Sequence, residues 1–243
     1  MYGDFKLYHP IWYFSTVDST MDIGWRMHDA LVHGLTIVAA HQTKGRGRLS
    51  RQWDDISGKS MLMTVFFHTS QLDCTYGVGH YSARSAYAVV RLLQHITKKQ
   101  FLIKWPNDVL IKSGATYKKV AGILLEHKSD WLAIGVGLNM YALPPDCHTF
   151  ASTAFSDVAY MHPLSLAISF VKTLWSICCC AFPTEINNFL LWKDKQVCLH
   201  AGKVTHYGVC RKICKDGGVH IEHSQGSTVF YTGSLLAVEE NDC

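Results

Sequence analysis

No stretch of this sequence approaches the roughly 20 consecutive apolar residues that a membrane-spanning helix needs. The densest one, Leu164 to Phe182, is interrupted by Ser165, Ser169, Lys172 and Ser176 and reads as an amphipathic helix of a folded core. The opening residues Met1-Tyr2-Gly3-Asp4-Phe5-Lys6 have neither a basic start nor an apolar centre, so a secretory leader is not expected. The two absences set the expectation of a cytoplasmic protein with no membrane partner. Internal repeats and low-complexity tracts are absent. Charge is sparse: Asp, Glu, Lys and Arg make up 17% of the 243 residues, and the formal net charge is only +4. That excess is too small to argue for nucleic acid and suits a small anionic ligand. No glycine-rich turn has the spacing of a P-loop or a dinucleotide fingerprint opening a helix.

Cysteine is plentiful, with nine in the chain, yet the spacing traces no disulfide framework. Cys178, Cys179 and Cys180 are consecutive on the expected helix, so they point in different directions and serve as small hydrophobes. His206, Cys210 and Cys214 have a spacing that invites a metal. Nearby glycines and β-branched residues indicate a strand, where residues four apart lie roughly 13 Å from each other. One ion cannot bridge that distance.

What is present is a globular composition, 48% hydrophobic, with length for a large domain or a medium one plus a small one. Patterning predicts strands over Ile11 to Val17, Leu35 to His41, Ser60 to His68 and Phe101 to Lys104. Lys119 to Glu126 and Trp131 to Leu138 read as a hairpin. Asp18-Ser19-Thr20 supplies caps for a helix reaching about His33. Further helices are expected over Tyr81 to Thr97, Leu164 to Phe182 and Thr184 to Trp192, with an irregular loop from Tyr141 to Pro163. From Val197 the chain turns to short strands, with turns at Gly202, Tyr207-Gly208, Asp216-Gly217-Gly218 and Gln225-Gly226, the rhythm of a small β-barrel. The boundary falls near residue 194, and the larger part reads as α+β because helices and hairpins do not alternate strictly.

Three segments call for chemistry. Gln42-Thr43-Lys44-Gly45-Arg46-Gly47-Arg48-Leu49-Ser50-Arg51-Gln52-Trp53 packs three arginines and a lysine into eight residues, separated by glycines. Arginine forks match carboxylate or phosphate oxygens, and glycine lets backbone approach a ligand. Alone, the loop is equally a solvated basic loop or a nucleic-acid contact. Lys104-Trp105-Pro106-Asn107-Asp108, at a strand end, offers a carboxylate that can hold Mg²⁺ or simply makes a turn. Lys118-Lys119 precedes the strand Val120 to Glu126, where Gly122 suggests close approach; Gly135, Gly137 and Asn139 repeat the theme on the next strand.

In order and spacing, Asp18-Ser19-Thr20, Gly45-Arg46-Gly47-Arg48 with Arg51 and Trp53, Lys104 to Asp108, Lys119 to Leu124, and Gly135 to Asn139 resemble the biotin–protein ligases. The resemblance covers about residues 10 to 140, and the C-terminal segment more loosely. It implies a catalytic domain over residues 1–194, like the class II aminoacyl-tRNA synthetases and biotin synthetases, and an SH3-like barrel over 195–243. Because the motifs begin near residue 16, the ligase-only form without an N-terminal DNA-binding domain is expected. So is the absence of a nucleic-acid partner. Monomer and homodimer both stay open.

The implied reaction joins biotin to AMP from ATP and passes biotin to a lysine of a biotin carboxyl carrier domain, with Mg²⁺ expected. The resemblance implies Lys119, Arg48 and Asp108 as catalytic, with Asp108 also near metal. It implies Ser19, Thr20, Met21, Gln42, Gly45, Arg46, Gly47, Arg48, Lys119 and Gly122 around biotin. Arg48, Arg51, Trp53, Lys104, Asn107 and Asn139 would lie near the nucleotide. Two departures stand out: Met21 replaces the usual asparagine, and Ser50 a usual glycine, which would cost roughly 1–2 kcal/mol if that backbone is left-handed. A lipoate–protein ligase or octanoyltransferase and a non-catalytic biotin-binding module are the competing readings.

Overall fold

The computed structural model describes residues 9–55, 57–141, 161–178 and 180–238. Most of the irregular loop expected between Tyr141 and Pro163 lies outside the described residues, as do Cys179 and the N-terminal Met1 to Lys6.

Seven strands build the main sheet: β1 (Ile11–Phe14), β2 (Thr36–Ala39), β3 (Ser60–His68), β4 (Phe101–Lys104), β5 (Asp108–Ser113), β6 (Thr116–Lys128) and β7 (Trp131–Asn139). Their spatial order is β1-β2-β3-β7-β6-β5-β4. β1 runs parallel to β2, and the other neighbours are antiparallel. β3 is buried along nearly its whole length, which explains an apolar run from Met61 to Phe67 broken only by Thr64. Met61, Met63, Val65 and Phe67 join the core under α2 (His80–Ile96) and α3 (Pro163–Cys178). Phe66 points the other way, into a smaller core with Met21, Leu31, Leu35, Ile37 and Ala133. α1 (Thr20–Arg26) covers that second face, and the cavity described below opens beside it.

Ser19 caps α1 as expected, its side chain accepting from Asp22 N at 3.4 Å. The helix ends at Arg26 rather than near His33, because the chain bends through a 3₁₀ turn that delivers Leu31 to the smaller core. β5 was not expected from the sequence: its apolar stretch, Val109 to Ile111, is only three residues long. The helix expected over Thr184 to Trp192 is a 3₁₀ turn at Thr184–Asn188. Its continuation lines the β4 edge instead, with Ile103 N donating to Phe189 O at 2.6 Å and Leu191 N to Ile103 O at 2.9 Å. That pairing satisfies edge groups a helix would have left open.

The C-terminal strands are β8 (Gln196–Ala201), β9 (Val204–Ile213), β10 (Val219–His223), β11 (Gly226–Phe230) and β12 (Ser234–Ala237). They form an antiparallel sheet in the order β11-β10-β9-β8-β12. β11 and β12 stand at opposite edges, so strand pairing among the described residues closes no barrel. Tyr207-Gly208 is no turn but mid-strand in β9; a Cβ on Gly208 would fall 2.3 Å from Glu222 O across the ladder. Val197, Leu199, Cys210, Ile213, Val219, Ile221 and Leu235 belong to the same core as α2 and α3. Trp105 Nε1 also donates to Gly217 O at 2.9 Å, and Ile213 N to Asn187 Oδ1 at 2.7 Å. No helix among the described residues is long and apolar enough to cross a membrane.

Candidate active site

The cavity begins with a gap in the wall of two strands. Gly122 of β6 and Gly137 of β7 are direct partners in the ladder. A Cβ on Gly137 would sit 2.5 Å from the Trp53 ring, and one on Gly122 2.9 Å from it. The two glycines thus accommodate the Trp53 indole. Gly135 does the same for Met21, whose Cε lies 2.9 Å from that glycine's Cβ position. Trp53 Nε1 is buried with no protein acceptor among the described residues.

At the closed end, Gln42 Oε1 accepts from Thr20 N at 2.7 Å and from Thr20 Oγ1 at 3.0 Å. Thr20 Oγ1 in turn lies 2.8 Å from Thr64 Oγ1, and both threonines are buried. At the other end stand the cations. Lys119 Nζ is 2.7 Å from Asp108 Oδ1 and 5.4 Å from the Trp53 ring centre. Arg48 Nη1 donates to Asn107 Oδ1 at 2.8 Å, and Nη2 to Gly233 O at 3.5 Å, so this side chain touches both sheets' territory. Asn107 is fixed by donating to Ile123 O at 2.9 Å. Burial pushes Arg48 down from its ordinary pKa, a shift that an arginine absorbs without losing its charge. Burial also pushes Lys104 down, helped by Lys119 and Arg51 and opposed by Asp108.

The basic loop is more ordered than its glycines suggest. Gly45 to Trp53 folds as a tight hairpin, with Trp53 N donating to Gly45 O at 2.9 Å and Gly47 N to Arg51 O at 2.7 Å. Leu49 and Ser50 form its tip, with φ of 55° and 60°. The left-handed backbone that makes Ser50 a strained substitute for glycine is therefore present. Arg46 does not face the cavity alone: it pairs with Asp22 and Glu126, each at 2.7 Å. Arg46 and Arg48 are therefore already held, by carboxylates and carbonyls of neighbouring elements, rather than free in a solvated basic loop.

Of the residues singled out in the sequence, Ser19, Thr20, Met21, Gln42, Arg46, Gly47, Arg48, Trp53, Asn107, Lys119 and Gly122 line one cavity. Gly45 lies behind the lining, where a Cβ would meet Trp53 O at 2.5 Å. Asp108 reaches the cavity only through Lys119. Lys104 lies over the Trp192 ring, 5.6 Å from its centre. Arg51 is exposed on the hairpin, outside the lining. Asn139 is buried and accepts from Ser60 Oγ at 3.4 Å, also outside the lining. Sequence reasoning missed Met63 and Thr64, which complete the wall. A threonine inside the otherwise apolar stretch Met61 to Phe67 was the available signal. Among the described residues no group of three His, Cys, Asp or Glu could hold a metal, at His206, Cys210 and Cys214 or elsewhere. Asp108, the one expected metal contact, is already paired with Lys119 and does not by itself make a metal site.

Comparison with known proteins places this geometry. The chain is 32% identical over 135 residues to a biotin–[acetyl-CoA-carboxylase] ligase of Mycobacterium tuberculosis, covering 54% of this chain and 48% of the relative. It is 34% identical over 125 residues to the bifunctional ligase/repressor BirA of Bacillus subtilis, covering 46% of this chain and 34% of the relative. The chain thus spans about half the length, or less, of these curated relatives. The biotin protein ligase from Aquifex aeolicus, solved in complex with biotin and ATP, shares the fold: TM-score 0.77, 24% identity, 93% of this chain and 97% of that one. The model of one family, the biotin/lipoate A/B protein ligases, matches residues 13–139, more than half of the chain and every wall of the cavity, and the chain belongs to that family.

Proposed function

We propose that the chain is a biotin–protein ligase, which forms biotinyl-5′-AMP from biotin and ATP and then transfers biotin to a lysine of a biotin carboxyl carrier domain. The observation that carries this reading is one cavity with a hydrogen-bonding closed end and a cationic mouth. The direction of the closed end's hydrogen bonds distinguishes biotin from lipoate. Thr20 N–H needs an acceptor, and of the two Gln42 amide groups only Oε1 accepts, so the amide is oriented with Oε1 toward it. The single Thr20 hydroxyl proton goes to the same oxygen, so Thr64 must donate to Thr20. Lone pairs of Thr64 and the Gln42 NH₂ group are left for a ligand. A cyclic urea has N–H donors and a carbonyl acceptor to match; a dithiolane or an alkyl chain has neither, and would leave these groups unpaired at about 1–3 kcal/mol each.

At the mouth, a carboxylate must attack the α-phosphorus of ATP while pyrophosphate leaves. Two anions meet there, so positive charge has to be in place beforehand, and Lys119 and Arg48 supply it. Trp53 lies between the two ends, where it can cover the mixed anhydride against water. In the second step a neutral lysine amine of the carrier attacks the acyl carbon, AMP departs, and the amine loses a proton. No enzyme nucleophile is needed. Mg²⁺ is expected to arrive on the nucleotide phosphates rather than on a resident protein site. The same reading takes residues 1–194 as the catalytic domain and 195–243 as a small SH3-like domain, in a cytoplasmic enzyme.

The test is incubation with Mg²⁺, ATP and radiolabelled biotin or lipoate, following adenylate and pyrophosphate. Biotinyl-adenylate alone is the expected product. Lipoyl-adenylate in its place would assign the lipoate branch of the family, and biotin binding without pyrophosphate release would make the chain a binding module.

A further inference from the structure

The basic hairpin is closed at its neck by a buried carboxylate, and this contact lies outside the cavity. Asp55 follows the hairpin, and its side chain has no exposed surface. Its Oδ2 lies 3.0 Å from His41 Nδ1, and its Oδ1 accepts from Gln42 N at 3.3 Å. One carboxylate therefore binds the two residues at which the loop departs, from the residue at which it returns. Other contacts tighten the neck: Val17 N donates to His41 O at 3.1 Å, Thr43 N to Val17 O at 2.9 Å, and Gly58 N to Ala40 O at 3.0 Å. Burying a carboxylate is costly unless its oxygens are satisfied, and here two donors do so. Burial, with a smaller push from the Asp54 charge, raises the Asp55 carboxyl, while the imidazole and the amide N–H oppose it.

The residue thus fixed is Gln42, and its Oε1 orients the whole hydroxyl chain through Thr20 to Thr64. The other residues tied to this neck are Arg46, Arg48 and Trp53, all carried by the hairpin between positions 42 and 55. We propose that Asp55, through His41, is a positioning residue that clasps the neck of this loop and so sets how long the activated acyl group is retained. The inference rests on the biotin–ligase reading above. Asp55 touches no reacting atom. It acts by holding the Gln42 backbone in register and by keeping both ends of the hairpin together.

The experiment uses the full chain. Biotinyl-5′-AMP is formed from biotin and MgATP, excess ligand is removed, and its release is timed. Asp55→Asn keeps the shape but turns an NH₂ toward one of the two donors, so release should quicken tenfold or more. The KM for biotin should rise with it, while the single-turnover rate of adenylate formation at saturating biotin stays within threefold. His41→Ala should behave like Asp55→Asn. His41→Asn, whose side-chain amide offers a donor near the Nδ1 position, should restore release to within threefold of the unsubstituted chain. Release within twofold of normal in both Asp55→Asn and His41→Ala would overturn the clasp. So would His41→Asn performing no better than His41→Ala, or a parallel loss of the single-turnover rate. If the unsubstituted chain forms no biotinyl-adenylate, the ligase reading itself fails, which is a distinguishable result.

Discussion

Lys119 is held from three sides: by the Asp108 carboxylate, by the face of Trp53, and by the bare backbone of Gly122, whose Cβ position would lie 3.1 Å from Lys119 Nζ. Such a lysine has little freedom to lose when an anion arrives, so its charge is set before the reaction begins. Truncating it should remove an interaction that strengthens as charge develops. Lys119→Ala is expected to lower the rate of biotin-dependent pyrophosphate release by about 10²–10³-fold, the scale of other electrostatic groups of this kind. The fold should be intact, since Lys119 lies at the cavity mouth rather than in the core. Lys118→Ala, on the neighbouring side chain, should be mild. Near-normal pyrophosphate release by Lys119→Ala would remove this lysine from the chemistry.

At the scale of elements, the hairpin tip carries a measurable strain. Ser50 stands at φ 60°, where a side chain costs roughly 1–2 kcal/mol and glycine costs almost nothing. Glycine also loosens the unfolded chain, an opposing effect of about 0.4–1 kcal/mol. Ser50→Gly should therefore raise unfolding stability by up to about 1 kcal/mol, seen as a higher urea midpoint at unchanged slope. A lower midpoint would mean that the tip is not left-handed in solution. This element also shows what the sequence could tell. The glycines and the Ser50 position identified a loop with a special backbone, but not its partners: Asp22, Glu126, Asn107 and Gly233 lie far away along the chain. β3 was legible to the residue because burial on both faces leaves an apolar run broken only by Thr64. β5 was not, and the Thr184 segment misled, because an edge pairing with Ile103 outweighs a weak helical pattern. Likewise eleven expected lining residues converge in the cavity, whereas Thr64 stayed hidden inside a strand that periodicity assigns wholly to the core.

The whole molecule has one large core that runs under both sheets, and His80 sits where they meet. It is 1% exposed, and neither ring nitrogen makes a well-formed hydrogen bond among the described residues, the Gly77 backbone being only a weak partner. A Cβ on Gly217 of the C-terminal segment would lie 2.6 Å from its Cα. Burial pushes its pKa down, Arg84 adds to that, and Asp73, the Gly77 backbone and Asp216 oppose it. A base held neutral in the folded state leaves stability complete above the unfolded pKa of about 6.5 and erodes it as pH falls below that value. His33, also pushed down by burial, acts in the same sense. The unfolding free energy should accordingly decline from about pH 6.5 downward, with His80 contributing at most about 1.4 kcal/mol per pH unit until its folded pKa is reached. His80→Leu should flatten that limb in urea titrations at pH 5 and 7. An unchanged slope would show that water or a proton reaches the imidazole in the native state.

Gly122 and Gly137 face each other across one rung of the β6–β7 ladder and meet the same indole. Their contributions are therefore coupled. An alanine at either position displaces Trp53; Gly122→Ala also crowds Lys119, whose Nζ lies 3.1 Å from that Cβ position, so Gly137→Ala added to it finds no ring left to displace. The double substitution Gly122→Ala with Gly137→Ala should cost adenylate binding little more than the worse single one, a strong departure from additivity in a double-mutant cycle. Additive losses would mean that each glycine serves a separate neighbour. The same coupling would act as a ratchet: with Gly122 replaced, the indole's seat no longer constrains Gly137, and once both are replaced the seat returns only when both glycines do.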